Sequence, residues 1–198
     1  MRPSSRVITY FAAVTAFATA ATPASAASPP PEFDGSCELS GTARFDHPVT
    51  NTVESNGGTF RSSPGLGNCI GTLSAGGRPL DGSQWQIRAK ARAKGDFSCL
   101  NGSLSGRASM LFLDGEGDPL RVDGRRVKIR ARIAMAHAVA AGSIEFLGGR
   151  GTSAGGAYNF TPSGGAVAGC AQGGDESLPM TVRMSTRGAF VGLRRHHR

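Results

Sequence analysis

An all-β domain is what this sequence predicts, and three observations carry that expectation. Apolar residues alternate with polar ones at a period of two, helical spacing is nearly absent, and clusters of Gly, Pro, Asp and Asn separate short runs at intervals suited to tight turns. Ten or so short strands with hairpin-length connections predict an antiparallel meander closed as a β-sandwich or β-barrel.

Residues 1–26 read as a cleaved secretory signal peptide. Arg2 and Arg6 give a basic start, residues 7–21 an apolar run, and Thr22-Pro23-Ala24-Ser25-Ala26 an Ala-x-Ala exit. The apolar run falls short of the ~20 residues that cross a bilayer. The expectation is therefore a secreted protein, extracellular or wall-associated, with no membrane span after cleavage. Residues 27–36 form a Pro-rich extended lead, excluded from a sheet ladder by their prolines. Residues 37–191 are expected as a single β-domain, and residues 192–198, with Arg194, Arg195 and Arg198, as a frayed basic tail.

The strongest strand is 84–94, where Trp85, Ile87, Ala89, Ala91 and Ala93 share one face and only polar or basic groups share the other. Residues 126–135 repeat the pattern, with Val127, Ile129, Ala131, Ile133 and Met135 inward. Between them Leu104, Ala108, Met110 and Phe112 alternate with Ser103, Ser105, Arg107 and Ser109. Weaker candidates are 37–46, 57–62, 69–75, 143–148, 152–160, 165–171 and 178–190. The Ala-rich stretch 129–141 has helical propensity, but its period-two order and its lack of an N-cap favour a strand.

Four cysteines, Cys37, Cys69, Cys99 and Cys170, follow the signal peptide. An even number in an oxidising compartment predicts two disulfides. Separations of about thirty residues or more lack the close pairs that zinc sites use, so no metal and no cofactor is expected. If strands simply alternate in direction, Cys37, Cys69 and Cys99 gather at one end and geometry permits every pairing. The lower cost of closing short loops favours Cys37 with Cys69 and Cys99 with Cys170.

The order Cys37-x-Leu-x-Gly-x-Ala-x-Phe, Asn68-Cys69-x-Gly-Thr-Leu, Ser98-Cys99-Leu and a late Cys170 resembles that of exported, Cys-containing, β-rich proteins of high-GC Gram-positive bacteria. The likeness spans about residues 37–190. It implies a secreted β-domain; it supplies no activity and no functional residues.

Several constellations have a chemical reading. Gly151-Thr152-Ser153-Ala154-Gly155 matches the G-x-S-x-G nucleophile elbow, but that elbow needs a following helix and later Asp and His partners, and only His196 and His197 follow. Asp114-Gly115-Glu116-Gly117-Asp118, with Asp123 nearby, is oxygen-rich as calcium prefers, yet Arg125 stands where an EF-hand needs its bidentate Glu. An acidic turn is the simpler reading. His47, beside Asp46, and His137 lack visible acid–base partners and are expected in loop or edge positions. Asn101-Gly-Ser103 and Asn159-Phe-Thr161 are sequons that matter only in a eukaryotic secretory route. No catalytic residue is assigned.

Charge is the most informative feature. The chain carries a formal +8, and without Arg2 and Arg6 the mature part keeps 20 Lys+Arg against 14 Asp+Glu, a formal +6. Arg88, Lys90, Arg92 and Lys94 line the outer face of one predicted strand, and Arg126, Lys128, Arg130 and Arg132 that of another. If 103–113 runs between them, the ladders stand about 10 Å apart with Arg107 and three serines in the gap. Such an array repels itself unless anions settle on it; the alternative is a solvated face screened by salt. Trp85 points the other way, so base stacking has no platform, and no groove-reading element for sequence-specific nucleic acid is visible.

The functional expectation is a secreted, non-catalytic β-domain whose partner is an anionic cell-wall polymer or another polyanion. An exported hydrolase with a site hidden in sequence, and a barrel around a small apolar ligand, are the alternatives.

Overall fold

The computed structural model describes residues 28–138, 141–160 and 175–194. Its long strands are β1 (Glu32–Val49), β2 (Glu54–Ala75), β4 (Gln84–Phe97), β5 (Asn101–Leu113), β8 (Lys128–Ala138), β9 (Ala141–Leu147), β10 (Ser153–Phe160) and β11 (Asp175–Thr186). Four two-residue strands, β3 (Arg78–Pro79), β6 (Arg121–Val122), β7 (Arg125–Arg126) and β12 (Phe190–Val191), complete the set. Each long strand pairs antiparallel with the next, and β1 pairs with both β2 and β11. That double pairing closes the sheet as an eight-stranded barrel and decides against the sandwich.

The alternation read from sequence is the alternation of the wall. Ile87, Ala89 and Ala93 on β4, Leu104 and Met110 on β5, and Ile129, Ala131 and Ile133 on β8 are buried inside. Burying each larger aliphatic contributes roughly 1.5–3 kcal/mol. Aromatic groups plug both ends. At one, Phe112 packs on Phe33 and Trp85, with ring centroids 5.8 and 6.4 Å away. At the other, Phe97, Phe160, Tyr158 and Phe45 surround His137 or each other.

Cys37 and Cys69 are directly opposed on β1 and β2 and form a disulfide, the pairing favoured by loop closure. No described cysteine is a free thiol. The pairing of Cys99 with Cys170, the strand expected at 165–171 and the signal peptide over 1–26 fall on residues outside those described, as do residues 195–198 of the tail.

Three expectations are corrected. The stretch assigned to the Pro-rich lead already belongs to the barrel from Glu32, because the prolines end at Pro31 and Phe33, fully buried, resumes the inward alternation. Residues 57–62 and 69–75 are one strand, β2. Residues 63–66 bulge from it, so that its register slips against both β1 and β4. Ser62 Oγ accepts the Ala89 N–H at 2.8 Å there, replacing a lost ladder bond. Because β2 runs through, Cys69 lies near its far end opposite Trp85, while Cys99 follows Phe97 at the other end of β4; the three early cysteines do not gather. Gly35 and Gly71 face each other across β1 and β2 so closely that a Cβ on either would strike the other strand's backbone. The Gly71 carbonyl then accepts the Trp85 indole N–H at 3.0 Å.

Candidate functional site

The outward positions of β4, β5 and β8 assemble the predicted cations in register. β5 lies between β4 and β8, as the sequence reading required. Arg92 is opposite Arg107, and Arg107 is opposite Arg132, which makes a row of three guanidinium groups across neighbouring strands. One step along, Lys90, Ser109 and Arg130 form the next row; two steps along, Arg88, Leu111 and Lys128 form another. On the other side Lys94 faces Ser105. Backbones of adjacent strands stand about 4.8 Å apart, so cations in one row are close neighbours.

β2 adds a cation that the sequence alone did not supply. Arg61 pairs in register with Lys90 and is exposed, extending that row onto a fourth strand. The signal was invisible because the bulge over 63–66 hides which face of 57–62 continues that of 69–75. Arg126, in contrast, leaves the group. It lies on β7, in a two-stranded hairpin with β6 that turns at Asp123 and Gly124, both with positive φ.

The face is bounded at its ends. The Arg88 guanidinium donates to the Gly117 carbonyl at 2.8 Å, which ties it to the acidic turn. Asp96 is the sole carboxylate at an outward position of β4, β5 or β8. The ion pairs of Arg78 with Asp123, Arg150 with Glu32 and Arg183 with Glu38 lie off the face. Lys90, Arg92, Lys94, Arg107 and Arg132 are all exposed. No aromatic side chain joins them, since Trp85 is buried in the end plug.

The competing constellations lie elsewhere. Ser153 opens β10 after a 3-10 turn at Gly149–Gly151 and continues as strand, so no elbow forms around it. It pairs with Leu147 on β9, whereas His137 pairs with Gly142 at the other end of that strand, about 17 Å away along five residues. In the acidic turn, Asp114 Oδ1 accepts the N–H groups of Glu116 at 3.1 Å and Asp118 at 2.8 Å, so this carboxylate organises the turn itself. No three His, Cys, Asp or Glu converge in a metal-holding group among the described residues. His47 is exposed on β1, and Asn56 bonds both its N–H and its carbonyl, joining the ends of the β1–β2 hairpin.

His137 contradicts its expected loop or edge position. It is the inward continuation of Ile129, Ala131, Ile133 and Met135, buried beside Phe97, Tyr158 and Phe160. Nε2 lies 3.1 Å from the Cys99 carbonyl, which only accepts, so Nε2 carries the proton. Nδ1 is buried without a partner. Burial holds the imidazole below its usual range, opposed in part by that Cys99 bond. Burial also pushes the Tyr158 phenol well above its usual range.

The barrel interior keeps a cavity of about 60 Å³, lined by apolar residues including Leu39, Ala89, Ala108, Met110 and Met180. Small-molecule pockets begin at about 300 Å³. The side chains thus fill the barrel interior, as eight strands permit.

The chain matches no family model, no curated protein and no solved structure.

Proposed function

We propose that this chain is an exported, non-catalytic β-barrel module that acts at or outside the cell envelope by binding an anionic polymer on the outward face of β4, β5 and β8. The row of Arg92, Arg107 and Arg132 carries the reading. Like charges directly opposite one another destabilise a sheet, and salt screens charges only beyond about 8–10 Å. An anion set between the guanidinium groups removes that repulsion, and their planar forks suit phosphate, sulfate or carboxylate. Export is supported by the signal-peptide pattern of residues 1–26 and by the Cys37–Cys69 bridge, which is compatible with an oxidising compartment. The same setting makes Cys99 with Cys170 the second bridge of the proposal.

The test is titration with wall teichoic acid, heparin and DNA over a range of salt. Affinity is expected to fall steeply with salt and to show no sequence preference. The triple variant Arg92→Gln, Arg107→Gln, Arg132→Gln should bind about 50-fold more weakly at about 0.15 M salt, given ~0.7 counterion released per contact on a single strand. Its melting temperature should be unchanged. No binding to any of the three polymers at low salt would overturn the proposal.

A further inference from the structure

We infer that the polymer this face takes is a flexible single chain carrying ionised phosphate groups, which crosses the strands and wraps the barrel wall; a rigid rod laid along the wall does not fit. The inference rests on the reading of the basic face given above. What it adds comes from curvature.

The cations span β2, β4, β5 and β8, which are consecutive around a closed wall of eight strands. Each strand step turns the outward direction by about 45°, so β2 and β8, three steps apart, face about 135° away from each other. Arg61 on β2 and Arg132 on β8 are both exposed and stand on the two flanks of this arc. Their side chains leave a convex surface on diverging paths. A straight duplex resting on that surface touches it along a narrow line, and reaching one flank takes it away from the other.

A flexible chain has no such restriction. The rows run across the strands, from Arg61 to Lys90 to Arg130 and from Arg92 to Arg107 to Arg132, so successive cations meet a chain that bends round the wall. Ser105 and Ser109, at the outward positions on either side of Arg107, add hydroxyl donors without bulk. Strands in such a barrel tilt by roughly 35–45°, so a chain following these rows climbs obliquely round it. The predominance of arginine among the exposed cations, with Arg61, Arg92, Arg107 and Arg132 against Lys90 and Lys94, favours forked contacts to phosphate oxygens.

The experiment compares oligo(dT) with a duplex of equal strand length, by fluorescence anisotropy, on Arg61→Gln, Arg132→Gln and the double variant. Melting temperatures, expected to match the parent for these exposed positions, report on the fold. At about 0.15 M salt, a slope of about −0.7 per phosphate makes each lost single-strand contact worth about fourfold in affinity. For oligo(dT) both single variants should lose about fourfold and the double about fifteenfold, because one chain holds both flanks. For the duplex each single variant should lose less than about twofold and the double no more than one contact's worth, about fivefold, because a rod uses one flank at a time. Multiplied losses on the duplex, or indifference of oligo(dT) to either flank, would overturn the wrapping while leaving the face as a polyanion site. Failure of both polymers to bind at low salt would overturn the reading of the face, and the wrapping with it.

Discussion

On β4, β5 and β8 the outward positions carry eight cations and one carboxylate, Asp96. On β1, β10 and β11, the wall opposite, Ser, Thr, Gly and Ala stand among charges of both signs, Glu32, Asp34, Glu38 and Asp46 with Arg44 and Arg183, and Arg183 there bonds Glu38 at 3.1 Å. The two walls share one interior and one backbone plan, so the difference is not a requirement of folding. A barrel needs its inward positions apolar and leaves its outward ones to be chosen. The opposite wall mixes small groups with charges of both signs; the basic wall holds like charges in register at a cost to the sheet.

The largest test of the shared interior is Phe112→Ala. Phe112 is fully buried and touches Phe33 and Trp85. Its truncation should cost about 3–5 kcal/mol by denaturant unfolding. Because the core is common, binding by the fraction that remains folded should be unchanged. A loss of affinity in fully folded protein would mean that the basic wall depends on the interior in a way its partner does not.

Next in size is the bridge at the seam between the two walls. Replacing Cys37 and Cys69 together by Ala opens a loop of 32 residues' separation and should cost about 2–4 kcal/mol, read as a lower melting temperature. β1 belongs to the mixed-charge wall and β2 carries Arg61, so hydrogen exchange should quicken on both strands. Quickening confined to β1 would show that β2 is held by the basic wall alone.

His137 gives a smaller, pH-dependent effect inside the barrel. Its folded imidazole titrates below the unfolded one, so the neutral form is favoured on folding. Stability should therefore be complete above the ordinary imidazole range, about pH 6.5, and fall as pH drops below it. The facing groups are Phe97, Phe160 and the Tyr158 ring, together with the Cys99 carbonyl, and none of them supplies a counter-charge. In His137→Phe this acid-side slope should disappear. A slope that persists would place the acid sensitivity in the carboxylates of the surface.

Glu38→Gln with Arg183→Gln removes an exposed pair of the mixed-charge wall and should change neither melting temperature nor polymer affinity, since such pairs contribute little. An affinity loss equal to that of the basic-face variants would erase the distinction between the walls. Ser153→Ala should likewise leave any hydrolytic activity of the preparation unchanged.

Much of this difference was legible in the sequence. Residues 84–94 and 126–135 display alternation so regular that face, partner strand and charge row all follow once β5 is set between them. Legibility failed where a local pattern is broken by tertiary geometry. The bulge at 63–66 divides β2 into two apparent strands and thereby conceals Arg61 and the polarity of Cys69. Closure by β1 against β11 joins residues about 140 apart, as with Ser40 and Thr181, and no local period reports so distant a partner. His137 was hidden only by its polarity: the period of two that buries Met135 extends one step further, to a residue type expected outside.

One feature of the closure reaches past binding altogether. Glu32 and Phe33 pair with Val191 and Phe190, so the first and last strands of the described chain lie side by side. The barrel's connectivity is thus nearly a ring. A permuted gene that links these strands through a short Gly-rich connector and starts anew at Gly65, in the bulge where no ladder bond is interrupted, encodes the same wall in a different reading order.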